Sequence, residues 1–144
     1  MPNDDTVKLL RECSAGTEMA LDSIKEVIDH AKEESLYQIL DDYLNKHQTL
    51  QAEIREKLTL AHDREKAPNP FATAMSWSKI HLNLLMNSSS AEIAKLMRDG
   101  CSMGIKSLQQ YLEQYPTASS DVKQITERLI SIERDFHNAL ERYV

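Results

Sequence analysis

The chain is poor in the residues that break or cross-link a fold. Its 144 residues include three glycines, four prolines, two cysteines, two phenylalanines and one tryptophan. So few turn formers, with no alternating runs of β-branched residues, argue against a sheet. Cys13 and Cys101 form no C-x-x-C and fall on apolar helical faces, so they are read as small buried hydrophobes and not as a disulfide or redox pair. No stretch approaches 18 uninterrupted apolar residues, which predicts no membrane insertion. The beginning, MPNDDTVKLL, has neither a basic segment nor an apolar one, so the expected location is cytoplasmic. Lys/Arg-rich runs are also missing and the formal net charge is −6, which predicts no nucleic-acid partner.

Helical periodicity is what the chain has in quantity, and a single domain over 1–144 is expected. The most complete signal runs from Ser89 to Pro116. Ser89 and Glu92 make an S-x-x-E capping box, and Pro116 closes the other end. Between them Ile93, Met97, Gly100, Cys101, Gly104, Leu108, Tyr111 and Tyr115 recur at steps of three and four, predicting a helix over 89–115 with one buried face. Gly100 and Gly104 cost helix stability in such a place, about 1 kcal/mol each against alanine. They are read first as a flat seam where another helix comes close, and second as room for a ligand or a local kink.

Three more helices follow from the same periods. The first, 5–31, is expected to be capped by Asp4 or Asp5 and carries Leu10, Cys13, Thr17, Ala20, Ile24, Val27 and Ala31 on its seam. The second, 35–62, carries Leu36, Leu40, Tyr43, His47, Leu50, Ile54 and Leu58. His47, in the middle of that stripe, is expected either to bond a polar partner or to ligate a metal. The last, 120–143, carries Val122, Ile125, Leu129, Ile132, Phe136, Leu140 and Tyr143.

A shorter helix is expected over 70–86, with Asn69-Pro70 as its start. Its apolar arc is wide, with Phe71, Trp77, Ile80 and Leu84 among its residues. The helix is expected either to be wedged into a corner of the bundle with both faces covered by its own chain, or to present those four residues to a second subunit, because large aromatics are enriched at interface cores. A homodimer or other homo-oligomer is therefore expected. The fold class that results is all-α: an antiparallel four-helix bundle with a short extra helix before the long third helix.

The stretches DGCSMGIKSLQQYLEQY and ERLISIERDFHNALERY, with the order of the elements, resemble the bacterial ferritin-like four-helix-bundle domains whose function is unassigned. Active relatives in that class are similar to one another in holding two irons between a carboxylate from each of two helices and Glu-x-x-His from the other two. Here Leu44 stands three residues before His47 and Arg134 three before His137, so both motifs are broken. Glu133 lies one turn from His137 at a different spacing.

The resemblance implies a ferritin-like bundle without the usual iron ligands. The expected function is a non-catalytic binding or assembly module with no cofactor. One alternative is a degenerate, ferroxidase-like site of His47, Glu133 and His137 taking iron. Another is a small-molecule carrier in which the glycine seam and Tyr43, Tyr111 and Tyr115 line a pocket between helices.

Overall fold

The computed structural model describes residues 3–61 and 89–144. These form four long helices: α1, Asp4–Ile28; α2, Glu34–Leu60; α3, Ser90–Gln114; and α4, Ser120–Ala139. A 3₁₀ turn, Glu141–Tyr143, follows α4. No strand occurs among the described residues. The expected helix at 70–86, with the interface residues Phe71, Trp77, Ile80 and Leu84, lies outside them.

Helix boundaries follow local chemistry. Asn3, and not Asp4 or Asp5, caps α1: its Oδ1 accepts from the Thr6 N–H at 2.9 Å and from the Thr6 hydroxyl at 2.8 Å. From just outside the helix its side-chain oxygen reaches an orphan N–H group. That leaves Asp5 in the first turn, where its Oδ2 accepts from the backbone N–H and hydroxyl of Thr117. Asn3 donates to the Thr117 carbonyl and Thr6 Oγ1 accepts from the Ser119 N–H, so the start of α1 is fastened to the turn before α4. At the start of α3 the capping box is complete: Ser89 Oγ accepts from the Glu92 N–H, and Glu92 Oε1 accepts from the Ser89 N–H.

Both ends of the α1 and α4 stripes fall short of the periodic expectation. α1 stops at Ile28, three residues early, where Asp29 is the C-cap and its N–H bonds the Val27 carbonyl. α4 gives way at Ala139, so Tyr143 sits in the 3₁₀ turn, with its hydroxyl 2.5 Å from that of Ser35.

The core divides into two clusters. In one, Leu9, Leu10 and Cys13 from early α1 meet Leu50, Ile54 and Leu58 from late α2, Leu108 from late α3, and Val122, Ile125 and Leu129 from early α4. In the other, Ile24 and Val27 from late α1 meet Leu36, Leu40 and Tyr43 from early α2, Ile93 and Met97 from early α3, and Phe136 from late α4. Burying these apolar side chains is the main favourable contribution to folding, at about 25 cal/mol per Å². Between the two clusters, at mid-height, lie the only buried ion-pair partners among the described residues, His47 and Glu133.

Candidate functional site: a cavity floored by a buried carboxylate

α2 and α4 bring His47 and Glu133 together. The seven predicted stripe positions of α2 are all buried, so His47 enters the core at the middle of a continuous apolar face. Glu133 stands four residues after Leu129 and three before Phe136, which puts it on the buried face of α4 with only 7% of its surface exposed. His47 Nε2 lies 2.5 Å from Glu133 Oε1, and His47 Nδ1 lies 2.6 Å from the Tyr43 carbonyl oxygen. Phe136 meets the imidazole edge-on and stacks on Tyr43 at 4.7 Å.

The proton inventory of this pair is constrained. A carbonyl oxygen only accepts, so Nδ1 must carry a hydrogen and donate it. Nε2 and Glu133 therefore hold a single proton between them, either on the imidazolium or on the carboxyl. Burial works against the charged imidazole, but the hydrogen bond and charge of Glu133, with the Tyr43 carbonyl, outweigh it and raise the His47 pKa above its usual value.

Cys101 of α3 lies against the same carboxylate. Its thiol is pushed far up, first by burial, then by the charge and hydrogen bond of Glu133. It is held as a neutral S–H donor, the opposite of an activated nucleophile. Cys13, also free and buried, lies 3.2 Å from the Thr126 hydroxyl and is pushed up to about 11 by burial.

Glu133 is also the floor of a cavity of about 430 Å³ between α1, α3 and α4. Small side chains open it: Ala15, Gly16 and Ala20 on α1 face Gly100, Gly104 and Ser107 on α3. Met19, Met97 and Met103 contribute flexible apolar wall, and Met103 is half exposed at the rim. A β-carbon added at Gly16 would meet nothing within 4 Å, and one added at Gly104 would first meet Glu133 Oε2 at 3.5 Å. Gly104 thus stands at ordinary contact distance from Glu133, and Gly100 and Gly104 both line the cavity. At another part of the wall Tyr111 donates a hydrogen bond to Glu12; burial raises the Glu12 pKa, while burial and the Glu12 charge take Tyr111 to about 12.

The predicted site residues fare differently. His47 and Glu133 are in contact; His137, half-buried, lies one turn beyond Glu133 on α4. Of the three tyrosines expected to line a pocket, Tyr111 does so; Tyr43 is packed against Phe136 and Tyr115 stacks on Tyr111. Among the described residues, no three His, Cys, Asp or Glu side chains are grouped so as to hold a metal ion. Also among the described residues, no helix is long and apolar enough to cross a membrane.

No protein-family model, curated protein or solved structure matches the chain.

Proposed function

We propose that this is a ferritin-like antiparallel bundle serving as a non-catalytic binding module, which takes up a small, largely apolar molecule between α1 and α3. The arrangement is supported by three cross-helix registers. Tyr43–Phe136, His47–Glu133 and Glu53–Arg128 pair α2 running forwards with α4 running backwards. Cys13–Thr126 sets α1 alongside α4, and Glu12–Tyr111 sets early α1 against late α3. Helices in the order up, down, down, up need a long crossing connection between α2 and α3, which is where residues 62–88 occur.

The observation that carries the binding function is the cavity. It is a cleft partly open to solvent, with half-exposed Met103 at its edge. A space of about 430 Å³ falls within the range of ligand sites, and one of roughly 150 Å³ already accepts benzene. Its lining combines glycine, alanine and methionine walls with a few polar groups, as in sites that recognise an apolar body with one polar end. The raised thiol of Cys101 and the proton shared by His47 and Glu133 support binding over catalysis, since neither supplies a nucleophile.

Nile red titration tests this reading. The wild-type protein is expected to take up the dye saturably with a blue-shifted emission. Gly16→Leu, whose side chain projects into open space, is expected to fold and to lose the saturable part. Equal uptake by both proteins would remove the cavity as the binding site.

A further inference from the structure

The polar groups of the cavity bear on what it holds. Two carboxylates, Glu133 and Glu12, contribute to its lining, and none of the described lining residues is Lys, Arg or His. Glu133 is 7% exposed, and its two oxygens differ in circumstance. Oε1 takes the His47 bond, while Oε2 is the nearest atom to the missing side chain of Gly104. Glycine at 104 leaves that oxygen approachable from the cavity.

Apart from Ser23, Cys101, Ser107 and Tyr111, the remaining described walls are apolar, from Ala15 and Met19 on one side to Met97 and Phe136 on the other. His47 and Glu133 share one proton, so the pair is neutral as a unit and Oε2 remains its open acceptor; in such surroundings that oxygen gains most from a charged hydrogen-bond donor. A carboxylic or phosphorylated ligand would place like charges side by side. A purely apolar one would leave Oε2 without a second partner. From Gly104 to Tyr111 α3 rises about 10 Å at 1.5 Å per residue, so a short carbon chain reaches from one carboxylate towards the other.

Building on the proposal that the cavity is a binding site, we infer that it receives a protonated alkyl or arylalkyl amine. The ammonium donates to Glu133 Oε2, and the carbon body lies along the glycine- and methionine-lined wall towards Glu12. The site therefore discriminates by charge at one end and by shape along the rest.

Isothermal titration of the wild-type protein with n-octylamine, 1-octanol and octanoate separates the two claims, because the three share a chain and differ in the head group. The amine is expected to bind about tenfold more tightly than the alcohol, the worth of one charge-assisted over one neutral hydrogen bond, with octanoate weakest. Alcohol or octanoate binding as tightly as the amine overturns the amine assignment and leaves the cavity as a site. Binding by none of the three removes both. In the amine complex, nuclear Overhauser contacts from the methylene beside nitrogen to Gly104 and Cys101 are expected. Contacts from that methylene to Tyr111 alone would overturn Glu133 as the seat of the ammonium.

Discussion

At the scale of single residues, His47 and Glu133 hold the one buried charge pair among the described side chains, and their coupling makes two predictions. His47→Leu leaves the buried Glu133 without its partner and should cost about 3–5 kcal/mol, read from urea unfolding. The double variant His47→Leu/Glu133→Leu should recover most of that loss, because two apolar groups replace two that needed each other. An additive double variant would mean that the two side chains do not depend on one another. The pH dependence has a definite sign. The folded-state pKa of His47 is raised, so the pair's contribution is complete below the unfolded value of about 6.5 and is lost as pH rises through the folded value. Unfolding midpoints of the wild type should therefore fall, relative to those of His47→Leu/Glu133→Leu, between mildly acidic and alkaline pH. Parallel pH curves would contradict this.

The same pair marks where the sequence ceases to be legible. His47 announces itself by standing in an unbroken stripe, Leu36 to Leu58, every member of which is buried. Glu133 does not. Read locally, its neighbour at four residues is His137, whereas its partner stands 86 residues away on another helix. Spacing did contain the signal, since Glu133 continues the Leu129–Phe136 face. A carboxylate on an apolar face is a sign that a partner is waiting elsewhere.

At the scale of elements, the helices separate propensity from packing. Gly16 is a helix-interior glycine with nothing near its absent β-carbon, so Gly16→Ala should stabilise the protein by about 0.5–1 kcal/mol, as a shift in urea midpoint. No gain would imply that the α1 backbone at this point differs from regular helix. Ser89→Ala removes half of the capping box of α3 and should cost about 1 kcal/mol, seen in the same measurement. The capping box was legible because it is a contact within four residues. The cap of α1 was misread because two aspartates next to Asn3 offer the same chemistry, and only the fastening of Asp5 to Thr117 decides which residue takes which role. The exposed pairs Arg55–Glu18 and Arg128–Glu53 align neighbouring helices but carry little of the stability.

At the scale of the whole molecule, two apolar clusters lie towards the two ends of the helices, and the cavity opens between them over Glu133. The helical class was readable from periodicity, since each helix presents one face to a common centre. The cavity was not, because empty space has no period. Gly100 and Gly104 fit a tight seam and an open groove equally well until the partners on α1 are known, and those partners, Ala15, Gly16 and Ala20, are themselves small. Small facing small is what leaves the space.

The binding function depends on that space admitting a ligand, and methionine reports on it directly. Of six methionines, Met19, Met97 and Met103 line the cavity. In a protein labelled with ¹³C at the methionine methyls, titration with n-octylamine is predicted to move these three signals together along one saturating curve. If all three stay fixed, or drift without saturation, with n-octylamine, 1-octanol and octanoate alike, the cavity does not bind.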